Sequence, residues 1–225
     1  MVRSRTFLIW GAGGHGKVVA DLVRATGGEV AGYMDRDAAR LGTEAEPGGA
    51  RVELLEDSFR DALRAGTLPL DADAVALGIG DNAARFGALA AVPAELLPAL
   101  VHPSAVVSAS ALLGAGTVVF PGAVVNAAAR VGCAVIVNSR AVVEHDCVLG
   151  DAAHVSPGAV LCGGVHVGEQ SWIGAGAVVI PGVTVGAGVT VGAGTIVLRS
   201  VEDGATVAGN PARLLGMDAS TGRAR

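Results

Sequence analysis

The stretch VNSRAVVEHDCVLGDAAHVSPGAVLCGGVHVGEQSWI, residues 137–173, decides the fold. Every sixth residue in it is aliphatic: Val137, Val143, Leu149, Val155, Leu161, Val167 and Ile173. The same phase runs back to Val101 and forward to Val197, so 17 consecutive positions hold Val, Leu or Ile without an insertion. Four residues after each comes a small or β-branched residue, such as Ala105, Thr117, Ala141, Cys147, Val165, Ser171 or Thr195. The position directly after the aliphatic is often glycine, as in Gly114, Gly132, Gly150 and Gly168. An aliphatic residue every six, a small one between and glycine at the bends predict short strands joined by tight corners, the pattern of a parallel β-helix. Three hexads make a coil of 18 residues. Seventeen hexads then stack into roughly 5.7 coils, about 27 Å tall at the usual strand spacing.

Outward from the repeat, the composition changes. Residues 1–100 hold 10 basic and 14 acidic side chains, whereas 101–199 hold 3 and 4, so the second half has little ordinary solvated surface and must stack its faces. The change predicts domains at 1–98 and 99–202, followed by a C-terminal turn and tail at 203–225. Despite 51% hydrophobic residues, Gly or Pro interrupts every long uncharged stretch, which excludes a membrane-spanning helix. Met1 to Arg5 leads directly into a strand-like run, unlike a secretory signal. The three widely spaced cysteines, Cys133, Cys147 and Cys162, fit neither a disulfide framework nor a zinc site, so a cytoplasmic location and no metal are expected. A net charge of −5 and a single lysine, Lys17, argue against a nucleic-acid partner.

In the first hundred residues, Phe7–Trp10 reads as a buried strand, residues 11–16 (GAGGHG) as a turn and residues 17–26 as a helix, matching GxGxxG. A second strand, Glu29 to Met34, ends at Asp35, which is placed to accept hydrogen bonds from a nucleoside. A third, Ala74 to Leu77, runs into Gly78-Ile79-Gly80-Asp81-Asn82 and a helix. The loop of Gly11, Gly13, Gly14, His15 and Gly16 opens a helix whose N–H groups favour an anion, with Lys17 as an added cation. Asp35, Gly78, Asp81 and Asn82 complete this predicted nucleotide site. The short span leaves room for half of a dinucleotide fold, which favours a mononucleotide over NAD; an NAD-linked oxidoreductase is the rival reading from a different class.

GAGGHGKV, MDRD, GIGDN and VVEHDCVLGDAAHVSPGA together resemble the left-handed hexapeptide-repeat sugar acetyltransferases of sialic-acid and nucleotide-amino-sugar pathways, over residues 6–215. The resemblance implies an α/β Rossmann-like N-terminal half-domain for the nucleotide sugar and a left-handed β-helix that binds acetyl-CoA as co-substrate between protomers of a homotrimer. It implies transfer of acetyl to the amino group of a UDP- or dTDP-linked 4-amino-4,6-dideoxy sugar, with O-acetylation of a sialic acid or related hydroxyl as the alternative.

On the repeat, His145 falls two positions after Val143, at a corner where a side chain leaves the prism. One coil later lies Gly163, which leaves space beside the histidine for a thioester and exposes a backbone N–H. That suits His145 as a general base in direct acyl transfer, with backbone N–H groups at the oxyanion. The resemblance assigns the same role to His145. It also makes Asp146 the acid that orients it, with Glu144 as a possible substitute, and Asn138 a polar residue of the site. His154 matches a second histidine near the acetyl carbonyl, and Gly163 and Gly164 fall on the CoA side. Cys162 has no evident activating residue and reads as packing.

Overall fold

The computed structural model describes residues 4–215; the last ten residues of the 203–225 segment, and Met1 to Arg3, lie outside the described residues. The chain divides into two units, Met1–Pro103 and Ser104–Arg225. Leu100–Val101, where the repeat begins, thereby groups with the N-terminal unit.

The N-terminal unit holds a four-stranded parallel sheet built from β1 (Thr6–Trp10), β2 (Glu29–Asp35), β3 (Val52–Leu55) and β4 (Ala74–Leu77) in the order β3-β2-β1-β4. Its helices are α1 (Gly14–Ala25), α2 (Glu56–Arg64) and α3 (Asn82–Leu89). The order 3-2-1-4 is that of one Rossmann half extended by one strand. The apolar runs on β1 and β4 are buried on both faces, as parallel strands under helices require. The sequence pattern does not announce β3 and α2, for a physical reason. β3 is four residues with Glu53 in the middle, and α2 (EDSFRDALR) buries only Phe59, which meets Trp10 edge-on at 5.3 Å. α1 begins at Gly14, earlier than the predicted Lys17, so the end of the predicted turn forms its first turn.

The second unit is a parallel β-helix. Two-residue strands pair with partners 18 residues away, for example Arg130 with Leu112 and Val148, and Val142 with Val124 and Val160. Three sheets result. The first face runs from Val106–Val107 to Ile196–Val197 and the second from Leu112–Leu113 to Thr184–Val185. The third runs from Val118–Val119 to Thr206–Ala208 and ends in the antiparallel Arg213–Leu214. From Val119 to Val197 every sixth residue is buried, and the small-residue row four positions later is buried from Ala123 to Thr195. The core therefore has two inward rows per face, one bulky and one small. Where the small residue is polar it bridges coils: Thr117 Oγ1 donates to the Gly132 carbonyl at 2.7 Å and accepts from the Val135 N–H at 3.1 Å. Ser171 does the same with Gly186 and Val189.

Glycine serves two separate purposes here. The left-handed corners, with φ near +60°, fall at every sixth residue from Gly116 to Gly194, and six of the fourteen are not glycine: Ala128, Ala134, Arg140, Asp146, Ala152 and Gln170. The glycines just after the aliphatic row are instead required by close approach. A Cβ on Gly114, Gly132, Gly150 or Gly168 would run into the next coil, against its backbone or, at Gly132, the Asp151 side chain as well.

Candidate active site

The corner between the first and second faces carries His145 and Asp146. Asp146 sits at φ 60°, a conformation Asp tolerates better than most residues, and the reversal puts its Oδ2 2.8 Å from His145 Nδ1. Both side chains are exposed, at 63% and 66%. With Nδ1 held by the carboxylate, Nε2 is the nitrogen left to take a proton. Glu144 is engaged elsewhere, accepting from Asn126 Nδ2 at 2.8 Å, so Asp146 is the acid bonded to the ring.

Gly163 stacks one coil above His145, and a Cβ there would lie 2.5 Å from both Cε1 and Nε2 of the imidazole. The space that the missing side chain leaves is filled by the ring itself rather than left open for a thioester. The Gly164 N–H is already committed, donating to the His145 carbonyl at 2.9 Å. Cys147 is buried, its thiol pushed up by burial and donating to the Cys162 carbonyl at 3.2 Å, which is the bridging role of Thr117 and Ser171.

Asn138 and His154 form a second cluster, on the third face and its corner with the first. Asn138 Nδ2 lies 3.1 Å from His154 Nε2, and His154 stacks on Trp172 with centroids 6.0 Å apart and planes 9° from parallel. Trp172 Nε1 donates to Ser156 Oγ at 2.6 Å. A triangular coil puts the third face opposite the His145 corner, so one chain does not bring Asn138 and His154 to His145. Trp172, half exposed, is a member of this cluster that sequence analysis does not single out; its signal is its place 18 residues after His154.

In the N-terminal unit a cavity of about 890 Å³ opens at the C-terminal ends of the strands, where open α/β sheets bind ligands. Gly11, Gly13, Asp35, Gly78 and Asp81 line it; Gly14, His15, Gly16, Lys17 and Asn82 do not. Asp35 braces the loops as well as facing the cavity, accepting from the Ala12 N–H at 2.9 Å and the Asp37 N–H at 3.0 Å. Gly11, Gly16 and Gly78 are glycine because loop, helix and strand cross there: a Cβ on Gly16 would collide with the Gly11 carbonyl, and one on Gly11 would lie 2.8 Å from the Gly78 carbonyl. Gly13 and Gly14 meet nothing, and the Gly13 cap of α1 has no side-chain hydrogen bond. The helix start is thus open to an anion, and its first turn holds no acidic residue.

Lys17 is exposed on the first turn of α1, and the cations on the cavity wall are Arg36, Arg40 and Arg60. Arg40 Nη1 also donates to the Ala12 carbonyl at 2.8 Å, and the Arg60 guanidinium lies 5.4 Å over the Trp10 ring. Of these, only Arg36 has a signal in the sequence, its place in MDRD straight after β2. His15 is held neutral: burial, with the Arg85 charge nearby, pushes its imidazole down to about 4.

Residues 6–88 match the PglD N-terminal domain family, and residues 164–199 the bacterial transferase hexapeptide family of six repeats. No curated protein matches the chain significantly. The acetyltransferase domain of PglB from Neisseria gonorrhoeae, solved with acetyl coenzyme A, is 40% identical, with 95% of this chain and 100% of that one covered and a TM-score of 0.81. PerB from Caulobacter crescentus, solved with CoA and GDP-perosamine, is 38% identical over 96% of this chain and 99% of that one, at a TM-score of 0.83.

This chain belongs to the sugar N-acetyltransferase family.

WeeI from Acinetobacter baumannii, 27% identical over 94% of this chain and 100% of that one with a TM-score of 0.79, shares the architecture. The protein is therefore an acetyltransferase with a Rossmann-like half-domain followed by a left-handed β-helix. The NAD-linked reading falls with this assignment: GxGxxG serves a four-stranded half-fold, and the second Rossmann half is replaced by the repeat. Among the described residues no helix is long and apolar enough to cross a membrane.

Proposed function

We propose that this protein transfers acetyl from acetyl-CoA to the amino group of a nucleotide-linked 4-amino sugar. The observation that carries the reading is the His145–Asp146 pair on a chain alike over 96% of its length to a protein solved with CoA and GDP-perosamine. The sugar nitrogen attacks the thioester carbonyl carbon while His145 Nε2 accepts its proton. The tetrahedral oxyanion collapses, the C–S bond breaks, and the proton passes to the departing thiolate, leaving an amide and CoA. Asp146 orients the ring throughout, and no covalent enzyme intermediate is required. The Gly163 N–H, at the same corner, is the backbone donor assigned to the oxyanion in preference to the committed Gly164.

The nucleotide belongs in the N-terminal cavity, its phosphates toward the open start of α1 and Arg36. The GDP of PerB widens the candidate bases beyond the UDP and dTDP expected from the sequence.

The assembly is a homotrimer. Its support is the outward row of the first face, Val106, Val124, Val142, Val160, Val178 and Ile196, aliphatic throughout, with Val106 64% exposed in the single chain. The His145 corner lies at one edge of that face and Asn138 at the other. Copies packed through it bring the base of one protomer against the Asn138–His154 pair of the next, which accounts for the separation of the two clusters in one chain.

Thiol release from acetyl-CoA is the test, with GDP-, UDP- and dTDP-linked 4-amino-4,6-dideoxy sugars, free sialic acid and a blank as acceptors. Release is expected with a nucleotide amino sugar, reduced about 100-fold or more by His145→Ala. An unchanged rate in that variant would remove His145 from the reaction.

A further inference from the structure

Arg85 is the largest fully buried side chain among the described residues, 1% exposed on α3, and no step above uses it. A buried guanidinium carries a heavy desolvation cost, which an aliphatic chain of similar length would avoid while filling the same volume. What the aliphatic chain would lack is the set of donors, three of whose bonds converge on the loop before α3 and on Asn82, the first residue of that helix. Arg85 Nη1 donates to the carbonyls of Ile79 at 3.0 Å and Gly80 at 3.1 Å, and Nη2 donates to Asn82 Oδ1 at 2.8 Å. The same loop supplies Gly78, Ile79, Gly80 and Asp81 to the cavity wall. Its other side meets the glycine loop: a Cβ on Gly80 would lie 3.6 Å from His15 Cβ.

We infer that Arg85 is a positioning residue for the nucleotide-sugar site: its guanidinium binds Ile79, Gly80 and Asn82 into a single conformation and so sets the cavity wall and the place of His15. The inference rests on the reading of that cavity as the nucleotide-sugar site. Burial holds the Arg85 guanidinium down to about 10, still charged at neutral pH, and its field adds to the burial of His15 in keeping that ring neutral. Planarity matters because a lysine ammonium cannot span three acceptors that a fork reaches together.

The experiment uses the full chain with Arg85→Met, which keeps length and apolar bulk, Arg85→Lys, which keeps charge, and Arg85→Ala, which leaves room for added guanidinium ion. Steady-state kinetics with a nucleotide-linked 4-amino sugar and acetyl-CoA are read beside hydrogen exchange of amides 78–82 and thermal unfolding. Arg85→Met is expected to fold and to raise KM for the nucleotide sugar about tenfold or more. KM for acetyl-CoA should stay within about twofold of wild type. Amides 78–82 should exchange faster, Arg85→Lys should fall between, and guanidinium ion should restore part of the activity of Arg85→Ala. Unchanged sugar KM and unchanged exchange in Arg85→Met would overturn the inference, as would an equal rise in both KM values. If Arg85→Met fails to fold, Arg85→Lys carries the same comparison. Failure of the nucleotide-sugar reading would look different, since wild-type protein would then bind none of the sugars; exchange at 78–82 would still decide whether Arg85 holds the loop.

Discussion

At the scale of single residues, the pairing of His145 with Gly163 is the most exposed to test. Gly163 lacks a positive φ, so alanine fits its backbone, yet the added methyl would meet the imidazole at 2.5 Å. Gly163→Ala is expected to change stability by no more than about 1 kcal/mol and to lower kcat on the order of 100-fold by turning the ring away from the acceptor. A kcat near wild type would mean that the glycine serves something other than the ring. The spacing of 18 makes this contact legible in the sequence, because residues one coil apart must stack. What fills the space beside Gly163 is not legible there, since that depends on the rotamer the Asp146 bond selects. Spacing alone does not separate Glu144 from Asp146, although the family resemblance favours Asp146; the left-handed backbone at Asp146 turns its carboxylate toward Nδ1.

At the scale of the repeat element, the two classes of glycine should fail differently. Gly176 stands at a left-handed corner with open space around its Cα, whereas Gly168 has ordinary φ but lies against Gly186 and Ala187 of the next coil. Gly176→Ala is expected to cost about 1–2 kcal/mol from backbone strain. Gly168→Ala should cost about 3 kcal/mol, because the coil above cannot shift without breaking its amide ladder. Urea unfolding midpoints check the order, and a reversed order would overturn the assignment. The hexad phase is readable because a two-residue strand and a tight corner leave the pattern no freedom. β3 and α2 are not, because a four-residue strand and a helix that buries one side chain generate no comparable period.

For the whole molecule, two expectations follow from burial and charge. His15 is neutral when folded, with its imidazole down at about 4 against 6.5 in the unfolded chain. Between those values the unfolded chain binds a proton that the folded one does not, so stability falls as pH drops through that window, by at most about 1.4 kcal/mol per pH unit. His15→Gln should flatten this part of the pH–stability curve; an identical slope in both proteins would remove His15 as its source. The first face supplies the second expectation. Val142→Glu with Val160→Glu places charge in the aliphatic row, and the protein should become a folded monomer by circular dichroism and light scattering, with acetyl transfer lost. A trimer that persists would assign assembly to another face.

Sequence alone determined the β-helix, its phase, the glycine-loop half-domain before it and the corner histidine, because each follows from local spacing that the backbone must repeat. Tertiary structure decided which partners those residues take. It placed Asn138 with His154 rather than His145, put arginines rather than Lys17 on the cavity wall, and buried Arg85 under the Gly78–Asn82 loop. An isolated arginine on a short helix reads like any solvated charge, and the hexad phase names the corner a polar residue occupies but not the rotamer that gives it a partner. The roles of Arg85 and of the arginines on the cavity wall depend on which distant segments fold against them, and nothing in local spacing encodes that.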